Sequence, residues 1–153
     1  MKLREVKDYH DKEETQLILH YFVNDKDNIQ GKRKAYYANG QLQEISNYVN
    51  GKRQGKNKHY YEHGTLYQVF NFVNNRYHGK RKSYYDNGKL EAVCNFVDDV
   101  YHGESKRYYY NGKLKNICNY VNGENHGEYK SYHRNVLTCL YSCINGLLHG
   151  EYK

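Results

Sequence analysis

The chain has 153 residues, of which 20 are tyrosine, 13 are glycine, none is tryptophan or proline, and 38% are hydrophobic. A tyrosine ring is apolar and its hydroxyl tolerates water, so this composition excludes a thick oily core in favour of a thin, wet-edged sheet; no apolar run nears the ~20 residues of a membrane helix. The net charge of +7 favours acidic partners without choosing between nucleic acid, anionic lipid and an acidic protein.

The opening residues, MKLREVKDYHDKEETQ, are charged throughout and read as free of a secretory leader. Four cysteines without a C-x-x-C fit a reducing, cytoplasmic compartment better than a disulfide framework. Residues 1–30 read as a degenerate first unit. Their run Leu17, Ile18, Leu19, Tyr21, Phe22, Val23 matches the second strand of later units, and an irregular polar unit is what caps a repeat array.

From residue 31 onward one hairpin recurs. Gly31, Gly55, Gly79, Gly103 and Gly127 are each 24 residues apart, which divides the chain into regular repeats at 31–54, 55–78, 79–102 and 103–126. Each repeat opens with a lysine-rich strand ending in an aromatic pair: Tyr36-Tyr37, Tyr60-Tyr61, Tyr84-Tyr85, Tyr108-Tyr109. Asn39-Gly40, His63-Gly64, Asn87-Gly88 and Asn111-Gly112 follow, and Asn-Gly predicts a type I′ turn with positive φ at both central positions. The second strand carries Leu42, Ile45, Tyr48 and Val49 or their equivalents, and the offset from Leu42 to Ile45 predicts a bulge or a strong local twist.

The fifth unit, 127–149, has Asn135-Val136 where the others have Asn-Gly. Valine at positive φ is strained, so this turn is expected to be built differently. Its strand LTCLYSCI is the most apolar stretch, and residues 150–153 start a further half-unit. This end is expected to pair with a second copy, giving end-to-end self-association. The period as a whole predicts an all-β fold: an elongated, single-layer antiparallel meander, or solenoid, of β-hairpins over 1–153.

The pattern YYxNGxL…NYVNGxxHG resembles the MORN-repeat family, in the variant form found in bacterial antitoxin-like proteins and in large DNA viruses; the resemblance covers about residues 16–153. It implies a twisted β-meander used for binding, with no common active site, and an antitoxin-like, immunity-like or viral host-interaction role. The tryptophan usual in standard units is missing, so the lipid binding proposed for some members does not carry over.

Repetition stacks equivalent residues into columns ~9.5 Å apart, two strands per unit. Lys34, Lys58, Lys82, Lys106, Lys130 and Lys153 form one column, thickened at its start by Lys32, Arg33, Lys56, Lys80 and Arg81, whereas Glu104, Glu128 and Glu151 flank its later members. It reads either as a basic stripe for phosphates or acidic protein, or as a solvated face that discourages stray strand pairing. Tyr36, Tyr60, Tyr84 and Tyr108 read either as a stacking platform for bases or as cross-strand packing. Because side chains alternate, one tyrosine of each pair is expected to be packed and the other partly exposed. His78, His102, His126 and His149 are too far apart to share an ion and read as turn residues. Cys94, Cys118, Cys139 and Cys143 are spaced beyond disulfide reach and read as small packing residues. No G-x-S-x-G, P-loop or H-E-x-x-H occurs, and no catalytic residue, metal or cofactor is expected. The expectation is a non-enzymatic scaffold for protein–protein interaction, with electrostatic binding of nucleic acid or anionic membrane as the alternative.

Overall fold

The computed structural model describes residues 2–149. The expected half-unit at 150–153, with Lys153 and Glu151, lies outside them. The chain is all-β, its strands antiparallel and no described residue helical, so none of it forms a helix long and apolar enough to cross a membrane. It divides into two compact units, residues 1–76 and 77–153.

In the first unit the strands are β1 (Arg4–Tyr9), β2 (Leu17–Val23), β3 (Ile29–Tyr36), β4 (Leu42–Val49), β5 (Lys52–Arg53), β6 (Gly55–Tyr60) and β7 (Leu66–Val73). They pair as a meander, β1 on β2, β2 on β3, β3 on β4, β4 on β5 and β6, and β6 on β7. The two-residue strand β8 (Arg76–Tyr77) falls at the division. The second unit continues with β9 (Gly79–Tyr84), β10 (Leu90–Val97), β11 (Val100–Tyr101), β12 (Gly103–Tyr108), β13 (Leu114–Val121), β14 (Glu124–Asn125), β15 (Gly127–His133), β16 (Val136–Ile144) and β17 (Leu147–His149). It has the same serial order.

Each repeat therefore holds two turns of different build. Val49 pairs with Lys52 across Asn50-Gly51, whose φ values are 49° and 76°. That is a two-residue type I′ turn, and Asp98-Asp99 and Asn122-Gly123 form the same one. At Asn39-Gly40 the expected type I′ turn is corrected. Only Gly40 has positive φ, 81°; its N–H donates to Tyr37 O at 2.9 Å, and Tyr37 N–H donates to Gln41 O at 2.8 Å. Three residues rather than two are left over between the pairing partners. A type I turn closed by a left-handed glycine accommodates that extra residue. Gly64, Gly88 and Gly112 repeat it, at φ 93°, 78° and 89°. In the fifth unit His133 pairs with Val136, so the turn sits on Arg134-Asn135, φ 50° and 67°, and Val136 is spared the strain.

The second strand is bulged where the broken alternation predicts it. Tyr36 pairs with Leu42 and Ala35 with Glu44, leaving Gln43 over. The same shift recurs at Tyr60, Tyr84, Tyr108 and Tyr132. Gly55 marks another irregularity: Tyr48 pairs with Arg53 but Ile45 with Lys58, so two extra residues intervene. The wholly buried Asn57 side chain satisfies the backbone there, donating to Gly55 O at 2.9 Å and accepting from Asn47 N–H at 3.2 Å.

The core is one face of the sheet and is thin. In the first unit Ala35, Ser46, Asn57, Phe70 and Phe72 are buried; in the second, Ser83, Cys94, Phe96, Cys118 and Cys143. All four cysteines are free thiols, and Cys139 is half-buried.

Candidate functional site

Cross-strand partners share a face, and the register therefore sorts every predicted residue onto one side of the sheet or the other. Lys34 lies opposite Ile45, and Ile45 opposite Lys58, which in turn faces Val69. In the second unit the ladder runs Lys82, Val93, Lys106, Ile117, Lys130, Leu140. An aliphatic residue thus separates each lysine from the next along the face. The lysine stems cover those aliphatic rungs while their ammonium groups reach water. Lys58 and Lys82 are exposed, whereas Lys34, Lys106 and Lys130 are half-buried.

The later lysines are already engaged. Lys106 Nζ lies 2.7 Å from Glu104 and Lys130 Nζ 2.7 Å from Glu128, and these contacts raise both ammonium pKa values above the ordinary one. The pairs are exposed and hold little stability, but they cancel charge locally. On this face, and among the described residues, Lys32, Lys34, Lys56 and Lys58 in the first unit and Lys80 and Lys82 in the second have no carboxylate at ion-pair distance, unlike Lys106 and Lys130.

Tyr36, Tyr60, Tyr84 and Tyr108 stand two residues beyond the lysines, on the same side, opposite Leu42, Leu66, Leu90 and Leu114. They are half-buried, and so are Tyr37, Tyr61, Tyr85 and Tyr109, so the expected division into a packed and an exposed column does not hold. The second tyrosines have a duty that sequence reasoning missed. The Tyr37 hydroxyl donates to Tyr60 O at 2.7 Å, that of Tyr85 to Tyr108 O at 2.7 Å, and that of Tyr109 to Tyr132 O at 2.8 Å. Each strap ties one repeat to the next. Asn39 and Asn87 add further ties, donating to Glu62 O and Tyr110 O while their Oδ1 atoms accept the N–H two residues on. His102 and His126 sit at the bulges, where their N–H groups donate to Asn95 O and Asn119 O, whereas His149 lies on β17 opposite Ser142. Among the described residues no group of three His, Cys, Asp or Glu is placed to hold a metal ion.

The opposite face carries a cluster that the repeat pattern hides. Glu44 is nearly buried, and its carboxylate lies 3.6 Å from Arg33, 3.6 Å from Arg53 and 3.8 Å from His59, while the Ser46 hydroxyl donates to it. Burial is the main force lowering the His59 pKa; Arg53 adds to it and Glu44 opposes. The imidazole is therefore neutral at neutral pH, and its contact with Glu44 is not an ion pair there. On this face in the second unit, Tyr77, Phe96, Tyr101 and Tyr120 form a continuous row of rings with centroids 5.5, 4.4 and 5.1 Å apart. Tyr120 is pushed up to about 12, first by burial and then by its hydrogen bond to the Cys118 thiol. The only hint of this cluster in the sequence is that Glu44 departs from its counterparts in the other repeats.

A family model described as the MORN repeat variant matches residues 29–50, 53–74, 77–98 and 101–122, four consecutive copies that cover more than half of the chain. No curated protein matches it. Repeats of this type are non-catalytic interaction modules, in keeping with a molecule that offers two sheet faces built from columns. The period, the doubled tyrosines and the four matched copies agree, and the chain belongs to the MORN repeat variant family.

Proposed function

We propose that the chain is a non-enzymatic scaffold that binds another protein along its lysine- and tyrosine-bearing face. The observation that carries this reading is the alternation of lysine with Ile45, Val69, Val93 and Ile117 beside half-buried tyrosines. Such a face offers apolar area and charge together, as protein interfaces do. Affinity capture of the intact chain from its native source should recover a stoichiometric protein. Lys58→Glu with Lys82→Glu should weaken that capture. Recovery of RNA or lipid in place of protein would refute the reading.

The electrostatic alternative, nucleic acid or anionic membrane, is supported by the open lysines of the first unit and weakened by the Glu104 and Glu128 pairs. It requires affinity that falls linearly on a logarithmic scale with salt, by about one power for each phosphate engaged. Self-association has its own support: Ile144, Leu147 and Leu148 on β16 and β17 are 46%, 76% and 61% exposed. Sedimentation across a concentration series should then show a dimer, which Leu147→Lys abolishes; a monomer throughout would refute it.

A further inference from the structure

In the first unit, the face opposite the lysines holds a carboxylate between basic groups: Glu44 among Arg33, Arg53 and His59. The site displaced by two repeats along the sequence has the same frame with different contents. Arg81 stands where Arg33 stands, Arg107 where His59 does, Tyr101 where Arg53 does and Cys94 where Ser46 does. At the position of Glu44 itself there is Ala92.

The register brings these residues together. Arg81 is opposite Cys94 on β9 and β10, Arg107 is opposite Ala92 on β12 and β10, and Ala92 and Cys94 lie two apart on one strand. All four therefore share a face. Both guanidinium groups act on the Cys94 thiol, lowering its pKa, although burial outweighs them and raises it. The floor between the two arginines is small, a methyl and a thiol. Cys94 is buried, Ala92 and Arg81 are half-buried, and Arg107 is exposed. Neither arginine has a carboxylate within ion-pair distance among the described residues, whereas Arg33, its copy in the first unit, has one.

We infer that the Arg81–Ala92–Arg107 slot of the second unit receives a carboxylate from an acidic segment of a partner protein, in the place Glu44 fills in the first unit. The inference rests on the reading that the chain binds a protein, and it adds a second contact surface on the opposite side of the sheet. A carboxylate is favoured over a phosphate because the molecule's own copy of the frame is filled by one. A single guanidinium can hold a carboxylate with two parallel hydrogen bonds, and the row of rings from Tyr77 to Tyr120 beside the slot offers apolar contact to residues flanking the acid.

The probe is a fluorescein-labelled hexaglutamate peptide, titrated with the full chain at low salt and read by anisotropy. Ala92→Glu fills the slot from within, as Glu44 does, and should lower affinity at least tenfold while leaving the urea midpoint equal or higher. Arg107→Gln, at an exposed position that folding tolerates, should lower affinity about fivefold. Lys113→Glu, in the exposed turn after Gly112, should change it less than threefold. Absent binding by the unaltered chain, or unchanged binding by Ala92→Glu and Arg107→Gln, overturns the slot. Equal losses from Lys113→Glu and Ala92→Glu overturn it too, as general charge attraction. A single-stranded RNA that binds more tightly and is released by Ala92→Glu makes the occupant a phosphate and likewise overturns it. If the slot fails while the captured partner still binds through Lys58 and Lys82, the scaffold reading stands without it; if no protein is captured at all, that reading falls on its own.

Discussion

The tyrosine straps make a quantitative forecast. Tyr109→Phe removes one hydroxyl and nothing else, deleting the 2.8 Å bond to Tyr132 O. A neutral intramolecular hydrogen bond of this kind contributes about 1 kcal/mol net. The orphaned carbonyl lies in a half-buried region that water reaches, which keeps the penalty near that figure. Tyr85→Phe deletes the equivalent 2.7 Å bond to Tyr108 O and should cost the same. The straps are ~9.5 Å apart and share no atom, so the double variant should lose about 2 kcal/mol, the sum within about 0.5. Tyr36→Phe is the control, because its hydroxyl has no hydrogen bond among the described residues, and it should cost under about 0.5 kcal/mol. Urea titration followed by far-ultraviolet circular dichroism measures all four, with an unchanged slope as the check that only stability moved. If Tyr36→Phe costs as much as Tyr109→Phe, or if the double variant costs no more than either single one, the hydroxyls are not what ties repeat to repeat.

Arg134 holds φ 50° in a turn whose first position is asparagine at Asn50, Asn122 and Asn145. Arg134→Asn should raise stability by about 0.5–1 kcal/mol, and a loss in the urea midpoint would count against the strain. Gly55, at φ 75°, has open space where a Cβ would go, so Gly55→Ala should cost only the backbone strain, about 1–2 kcal/mol, with an unchanged fold by circular dichroism. The lowered His59 pKa predicts acid sensitivity: the unfolded imidazole takes up its proton near 6.5 and the folded one later, so its contribution is full above 6.5 and declines as the pH falls below it. His59→Gln should flatten that decline in urea midpoint against pH; an identical decline would show that other groups cause it.

The repeat length, the strand order and the bulges were legible in the sequence because each is written several times. A broken alternation such as Leu42 to Ile45, recurring at Leu66 to Val69, points to a bulge or a strong local twist, and the register shows the bulge. Turn type was less legible. Asn-Gly suits both a two-residue type I′ turn and a three-residue loop closed by glycine, and the choice depends on which residues pair on either side. Tyr37 closes on Gln41, but Val49 closes on Lys52, so one dipeptide serves two geometries within one repeat. The second tyrosine was opaque for a related reason. Its ring looks the same as its neighbour's, and only the position of the adjacent strand end shows that its hydroxyl reaches a carbonyl there.

Copying a hairpin copies everything on it, so a column by itself cannot separate use from inheritance. The lysine ladder illustrates this: its stems shelter Ile45, Val69, Val93 and Ile117, and packing alone suffices to keep them. Departures from the column carry more information. Glu104 and Glu128 arise where lysine stood and switch off the later part of the stripe, while Glu44 gives way to Ala92 and leaves Arg81 and Arg107 without the acid that Arg33 has. In one case a charge is cancelled, in the other uncovered, and the two faces of the second unit diverge accordingly. The lysine face becomes more neutral as the arginine face becomes more basic. If the slot holds an acid, an acidic partner meeting the second unit should be steered toward the arginine side, whereas in the first unit the open lysines should draw it to the other.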